Sequence, residues 1–174
     1  MTDPISIRKR TSRTAVEPIA FREILGNYAS GVTVISSHDG HEPIGFTCQS
    51  FYSVSLEPPL VSFSVMRTSR SYPRIRETGR FAINVLSQDQ RAVSDQFARS
   101  GPDKWSGVSW QFSCQETPIL DGALTWLDCE LDAEHEAGDH FVVIGRVCDM
   151  GAAACHENLS PLLFFQGQYR DLVG

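Results

Sequence analysis

The sequence predicts a mainly β protein, a closed or nearly closed antiparallel barrel with helices at its periphery. Short β-branched and aromatic runs recur along the chain with turn residues between them, and they do not alternate with long helices. Many short strands leave many edges, and closing the sheet on itself removes them. A chain of 174 residues with 41% hydrophobic content can bury one ordinary core. The expected organisation is a flexible tail over residues 1–16 and one domain over residues 17–174.

The elements follow in chain order. Arg8, Lys9, Arg10 and Arg13 stand among Ser and Thr with too little apolar content to offset the cost of ordering, which gives the tail. Pro18 suits the first turn of a helix, and Phe21, Ile24, Leu25 and Tyr28 follow the i, i+3, i+4, i+7 spacing of a buried face. Gly31 releases the chain into strands. Val32 to Ser37 is β-branched, Asp39-Gly40 supplies a turn, and the chain resumes at Pro43-Ile44-Gly45-Phe46 as the second arm of a hairpin.

Further strands are expected at Leu60 to Val65, Phe81 to Leu86, Leu124 to Glu134 and Phe141 to Asp149, with Leu162 to Phe165 near the end. Two helices interrupt them. Ser69 or Ser71 caps a short one that runs to about Glu77 and stops at Gly79. Ser87-Gln88-Asp89-Gln90 forms a capping box for the other, which continues through Val93 and Phe97 to Gly101-Pro102. In the Leu124 strand, Asp128, Glu130, Asp132, Glu134 and Glu136 recur at every second residue, so this face is expected to point to water. Without a second ligand cluster it is read as solvated surface, and no metal is assigned.

Bulk properties exclude several function classes. A net charge of −6 and a pI near 5.3 repel nucleic acid and anionic lipid, so neither is expected as a partner. No apolar run approaches the roughly 18 residues of a spanning helix, and MTDPISIRKRTSRT lacks the apolar core of a secretory signal. A cytoplasmic location is expected. The five cysteines, Cys48, Cys114, Cys129, Cys148 and Cys155, are odd in number and include no C-x-x-C pair, which argues against a disulfide framework or a zinc knuckle. The signatures of Rossmann dehydrogenases, Walker NTPases, serine hydrolases and zincins are absent.

Candidate chemistry concentrates between Gly45 and Arg70. The run Gly45-Phe46-Thr47-Cys48-Gln49-Ser50-Phe51-Tyr52-Ser53-Val54-Ser55 is dense in small hydroxyl and amide groups beside apolar ones. A flavin ring, with its apolar face and polar edge, needs such a lining. Composition leaves open a second reading, in which the serines only satisfy their own backbone. Some fifteen residues on, Arg67-Thr68-Ser69-Arg70-Ser71 offers hydroxyls and guanidinium groups to an anion such as phosphate. Gly138-Asp139-His140 sits at a turn, and by spacing alone His140 reads as structural or solvent-exposed.

Together with Ala29-Ser30-Gly31-Val32-Thr33, Ser53-Val54-Ser55-Leu56-Glu57-Pro58-Pro59, Gly79-Arg80-Phe81-Ala82-Ile83-Asn84 and Gly167-Gln168-Tyr169, these segments resemble the flavin reductase family. The likeness is strongest to reductase components of two-component flavin-dependent aromatic monooxygenases. It implies a homodimer of six-stranded Greek-key split barrels that use NADH or NADPH to reduce FMN or FAD for a separate oxygenase component. It further implies flavin contacts from Thr47, Cys48, Gln49, Ser50, Ser53 and Val54, and phosphate contacts from Arg67, Ser69 and Arg70. Gly138, Asp139 and Tyr169 join the cofactor site, and His140 is expected beside the nicotinamide as the catalytic residue. The alternative is a flavin-holding electron carrier that does not use nicotinamide directly.

Overall fold

A computed structural model describes residues 15–101, 103–152 and 160–172. The tail expected over residues 1–16 lies almost wholly outside the described residues, as do Pro102 and Cys155.

The chain opens with helix α1 (Pro18–Leu25), followed by strands β1 (Ser30–Gly31), β2 (Thr33–His38), β3 (Pro43–Cys48), β4 (Tyr52–Leu56) and β5 (Pro59–Met66). Helix α2 (Tyr72–Thr78) and strand β6 (Arg80–Val85) come next, then a 3-10 turn over Gln88–Gln90 that leads into helix α3 (Arg91–Ala98). The second half holds β7 (Trp110–Phe112), β8 (Pro118–Leu120), the long strands β9 (Thr125–Ala137) and β10 (His140–Ala152), and the short pair β11 (Leu163–Phe165) and β12 (Gln168–Arg170).

Seven strands form the main sheet in the order β3-β2-β6-β9-β10-β5-β4, antiparallel throughout. The six expected strands thus become seven. Tyr52, Val54 and Leu56 alternate with Ser53 and Ser55, a period of two that suits a strand, and β4 pairs with β5 accordingly. Although consecutive in sequence, β3 and β4 occupy opposite edges of the sheet, so the three residues between them stitch it into a barrel. Ser50 completes the seam, its hydroxyl donating to the Ser64 carbonyl at 3.0 Å and accepting from the Ser64 N–H at 2.8 Å.

Two apolar clusters hold this frame. Inside the barrel, Phe63 meets Phe81 edge-to-face at 5.3 Å, with Ile35, Ile83, Tyr72 and Val143 around them. Each such fully buried side chain contributes roughly 1.5–3 kcal/mol. Outside the wall, Val34, Leu86, Phe97, Leu120 and Leu162 pack beneath α3 and the β7–β8 hairpin. Buried Asn84 fixes that hairpin, accepting from the Leu120 N–H at 2.8 Å and donating to the Ser36 hydroxyl at 2.8 Å. Gly79 ends α2 at φ +67, a left-handed conformation that a side chain would strain.

Two expectations are corrected. The apolar stripe of α1 is not buried: none of its residues is, and Phe21, Ile24, Leu25 and Tyr28 are all exposed. Periodicity identifies an apolar stripe but not what covers it. The acidic row of β9 is not solvated throughout, because the β7–β8 hairpin covers its first member. Asp128 is fully buried and accepts a hydrogen bond from the Thr117 hydroxyl at 2.8 Å. Farther along, Glu134 accepts from the Tyr72 hydroxyl and from Arg76.

Candidate active site

The seam, the β5–α2 loop and the end of α3 enclose a cavity of about 810 Å³. Hydrogen bonds between these elements set its shape. Thr47 donates to the Ser94 carbonyl at 2.6 Å, which ties β3 to α3. The Ser69 hydroxyl accepts the Tyr72 N–H at 3.2 Å and caps α2, while Ser71 donates to the Gly45 carbonyl at 3.3 Å. The Arg67 N–H bonds the Asp139 carbonyl at 3.0 Å, and His140 lies opposite Met66 in the β5–β10 register. The Gly-Asp-His turn therefore stands at the same end of the barrel as the Thr68–Ser71 loop.

The lining is chemically divided. Phe46, Val65 and Met66 supply apolar surface, while Thr47, Gln49, Ser50 and Ser64 supply short polar groups beside it. Its charged members are Arg70, Arg99 and Lys104, with His140 as a further titratable group, and among the described residues no Asp or Glu lines it. In a chain of net charge −6, such a concavity favours an anionic ligand. A fused ring with a polar edge and a phosphate tail fits this donor set.

Of the residues singled out in the sequence, Thr47, Cys48, Gln49, Ser50, Ser69, Arg70 and His140 line the cavity. Besides Thr47 and Ser69, bonded as just described, two more of these have internal duties. Ser50 is committed to Ser64, and Cys48 is buried with its Sγ 3.3 Å from the Ser50 hydroxyl. Burial pushes the Cys48 thiol up, which suppresses the reactive thiolate. His140 Nδ1 lies 2.7 Å from the Asp139 carboxylate, a contact that orients the ring and holds Asp139 below the usual carboxylate range.

The others lie outside the lining. Ser53 and Val54 are on the exposed surface of edge strand β4. Arg67 pairs with Glu136 at 3.3 Å and lies over the Phe141 ring. Gly138 and Asp139 form the exposed β9–β10 turn. Tyr169, on β12, braces α3 from behind, with its hydroxyl 2.9 Å from Ser94 Oγ and 2.8 Å from the Asp95 carboxylate. Sequence reading missed Phe97, Arg99 and Lys104. Their local signal was only a helix stop at Arg99-Ser100-Gly101-Pro102 followed by a basic residue.

An antiparallel barrel with a cation-lined cavity beside a polar seam suits a phosphorylated ring cofactor. This chain belongs to the flavin reductase like domain family, whose model matches residues 25–173. It is 43% identical over 155 residues to the reductase subunit HsaB of a flavin-dependent monooxygenase from Rhodococcus jostii, covering 89% of this chain and 78% of that one. The structure of nitrilotriacetate monooxygenase component B from Mycobacterium thermoresistibile superposes with a TM-score of 0.86 at 41% identity, covering 89% and 86% of the two chains. The NADH:FAD oxidoreductase SgcE6 of Streptomyces globisporus superposes at 0.84 with 30% identity, covering 94% and 100%.

Proposed function

We infer that this protein is an NAD(P)H:flavin oxidoreductase that reduces FMN or FAD and supplies the reduced flavin to a separate flavin-dependent oxygenase. The cavity carries the reading: an apolar wall, a polar seam and cationic groups with no carboxylate among the described residues, and His140 at the same end. Flavin bound there supplies a two-electron acceptor for the nicotinamide hydride.

The chain's own residues bind and orient. Thr47, Gln49 and the seam backbone would edge the ring, Phe46 would flank it, and Ser69 with Arg70 would hold phosphate. His140, with its ring set by Asp139, would sit on the nicotinamide side and fix the approach of the donor, since hydride transfer depends above all on alignment. No nucleophile is needed, consistent with the suppressed Cys48 thiolate.

A homodimer is part of the proposal. Tyr52, Val54 and Leu56 on β4, and Phe21, Ile24 and Leu25 on α1, are large apolar groups left exposed, and a second copy of the chain would cover them. In that assembly Ser53 and Val54, remote from this chain's own cavity lining, would lie at or near the subunit boundary. A cytoplasmic location is supported by Cys48, Cys114, Cys129 and Cys148, all free thiols. No helix among the described residues is long and apolar enough to cross a membrane.

The test is anaerobic mixing of the purified protein with excess NADH or NADPH and excess FMN or FAD, followed by flavin absorbance. Bleaching of many flavins per protein is expected. Bleaching that stops at one flavin per chain, or does not occur, refutes the reductase reading.

A further inference from the structure

We propose that Lys104 is the residue by which this protein distinguishes phosphorylated flavin from unphosphorylated riboflavin, its ammonium group meeting the phosphate at the end of the cavity where Ser71 stands. The proposal rests on the flavin reading above and adds to the site a residue from a different part of the chain.

Lys104 lies in the loop after α3 and is partly buried in the cavity wall. Its Nζ donates to the Phe97 carbonyl at 3.0 Å and to the Gly45 carbonyl at 3.3 Å. The Gly45 oxygen also accepts from the Ser71 hydroxyl at 3.3 Å. One carbonyl thus places the ammonium within two hydrogen-bond lengths of Ser71, so the two loops converge on one end of the cavity.

An ammonium group carries three donors, and two are occupied by these carbonyls. The third remains for a ligand. Among the described residues, no carboxylate approaches Lys104 within ion-pair distance and none lines the cavity. Two carbonyl dipoles offset only part of the cost of withdrawing a full charge from water. Burial accordingly pushes the Lys104 ammonium below its ordinary value. An arriving phosphate repays that cost, whereas riboflavin, ending in a neutral ribityl hydroxyl, does not.

Arg70 and Arg99 also line the cavity but are exposed. Solvent and salt screen their attraction, and their long side chains lose freedom when they engage a ligand. Lys104 is already fixed by two backbone oxygens, so its contribution carries little ordering cost. Discrimination should therefore rest on Lys104 more than on the two arginines.

The test is fluorescence titration of wild type, Lys104→Gln and Lys104→Arg with FMN and with riboflavin. Wild type is expected to bind FMN more tightly than riboflavin. Lys104→Gln should weaken FMN by about tenfold or more, the scale of a charge-assisted hydrogen bond, and leave riboflavin affinity within about twofold. Riboflavin binding thereby reports that the variant is folded, and Lys104→Arg should restore part of the preference for FMN. Equal weakening of both flavins, or unchanged FMN affinity, overturns the proposal. Failure of wild type to bind either flavin overturns the flavin reading itself and is distinguishable from both outcomes.

Discussion

Replacing Gly45 with alanine should damage the fold and the cavity together. A Cβ at this position would lie 2.7 Å from Cε1 and 3.0 Å from Cδ1 of Phe97, and 3.1 Å from the Ile35 carbonyl oxygen. Ordinary carbon contacts begin near 3.5 Å, so the ring would have to retreat by about 1 Å. Phe97 has no room to do so easily, being fully buried with its ring edge-to-face against Trp105 at 4.8 Å. Overpacking of this kind costs about 2 kcal/mol. In a domain of this size that lowers the melting temperature by roughly 4–8 °C. Thermal denaturation followed by circular dichroism measures it. Gly31→Ala is the control, since an added Cβ there meets nothing within 4 Å and should change stability by no more than about 0.5 kcal/mol. Flavin affinity should fall in Gly45→Ala as well, because the carbonyls that seat Ser71 and Lys104 belong to Gly45 and Phe97. A Gly45→Ala protein that melts within about one degree of wild type would refute the packing argument.

Three further outcomes follow from the same structure. Asn84→Ala strips the buried Leu120 N–H of its acceptor and leaves the Ser36 hydroxyl only its bond to the Pro118 carbonyl; it should cost about 1–3 kcal/mol in urea unfolding, and a loss under about 0.5 kcal/mol would mean that the β7–β8 hairpin is held by other contacts. Asp39 accepts hydrogen bonds from the Glu42 and His41 N–H groups and from Arg74, first among them Glu42, and these hold its carboxyl well below its ordinary 3.8. A carboxyl depressed by folding stabilises above its unfolded value and loses that contribution as pH falls through and below it. Asp39→Asn should therefore show a shallower loss of stability than wild type as pH falls toward and below 4, and parallel acid profiles would contradict this. His140→Ala should lower NADH-dependent turnover by roughly tenfold or more while leaving flavin affinity nearly unchanged, because the group is assigned to donor alignment. Unaltered steady-state turnover would remove His140 from the mechanism.

Much of the site could be read in the sequence because it is contiguous there. Thr47 to Ser50 and Ser69 to Ser71 are brought together mainly by β3 and β5, and local composition carries their chemistry. Lys104 was not legible, since its position depends on the end of α3 lying against Gly45, a contact across 59 residues of chain. The same limit explains Asp128. Strand alternation correctly grouped it with the other acidic residues of β9, but the hairpin that buries it is joined to it only through tertiary structure. Tyr169 shows the converse, in which a motif marked a residue whose hydrogen bonds brace α3 rather than face the cavity. For α1, spacing found the apolar stripe, and the described residues of the same chain do not supply its cover.

The three residues between β3 and β4 join the two edges of a seven-stranded sheet, and the cavity is built on that join. A chain with every other strand paired but this join unmade would still lack one side of the cavity. Occupancy and final closure of the barrel are thus a single linked equilibrium: a ligand that binds only the closed form adds RT ln(1 + [L]/Kd) to the stability of the whole domain. With the flavin proposed above as that ligand, release of the product would withdraw the increment once in every turnover, and the resistance of the barrel to opening would rise and fall with the supply of flavin.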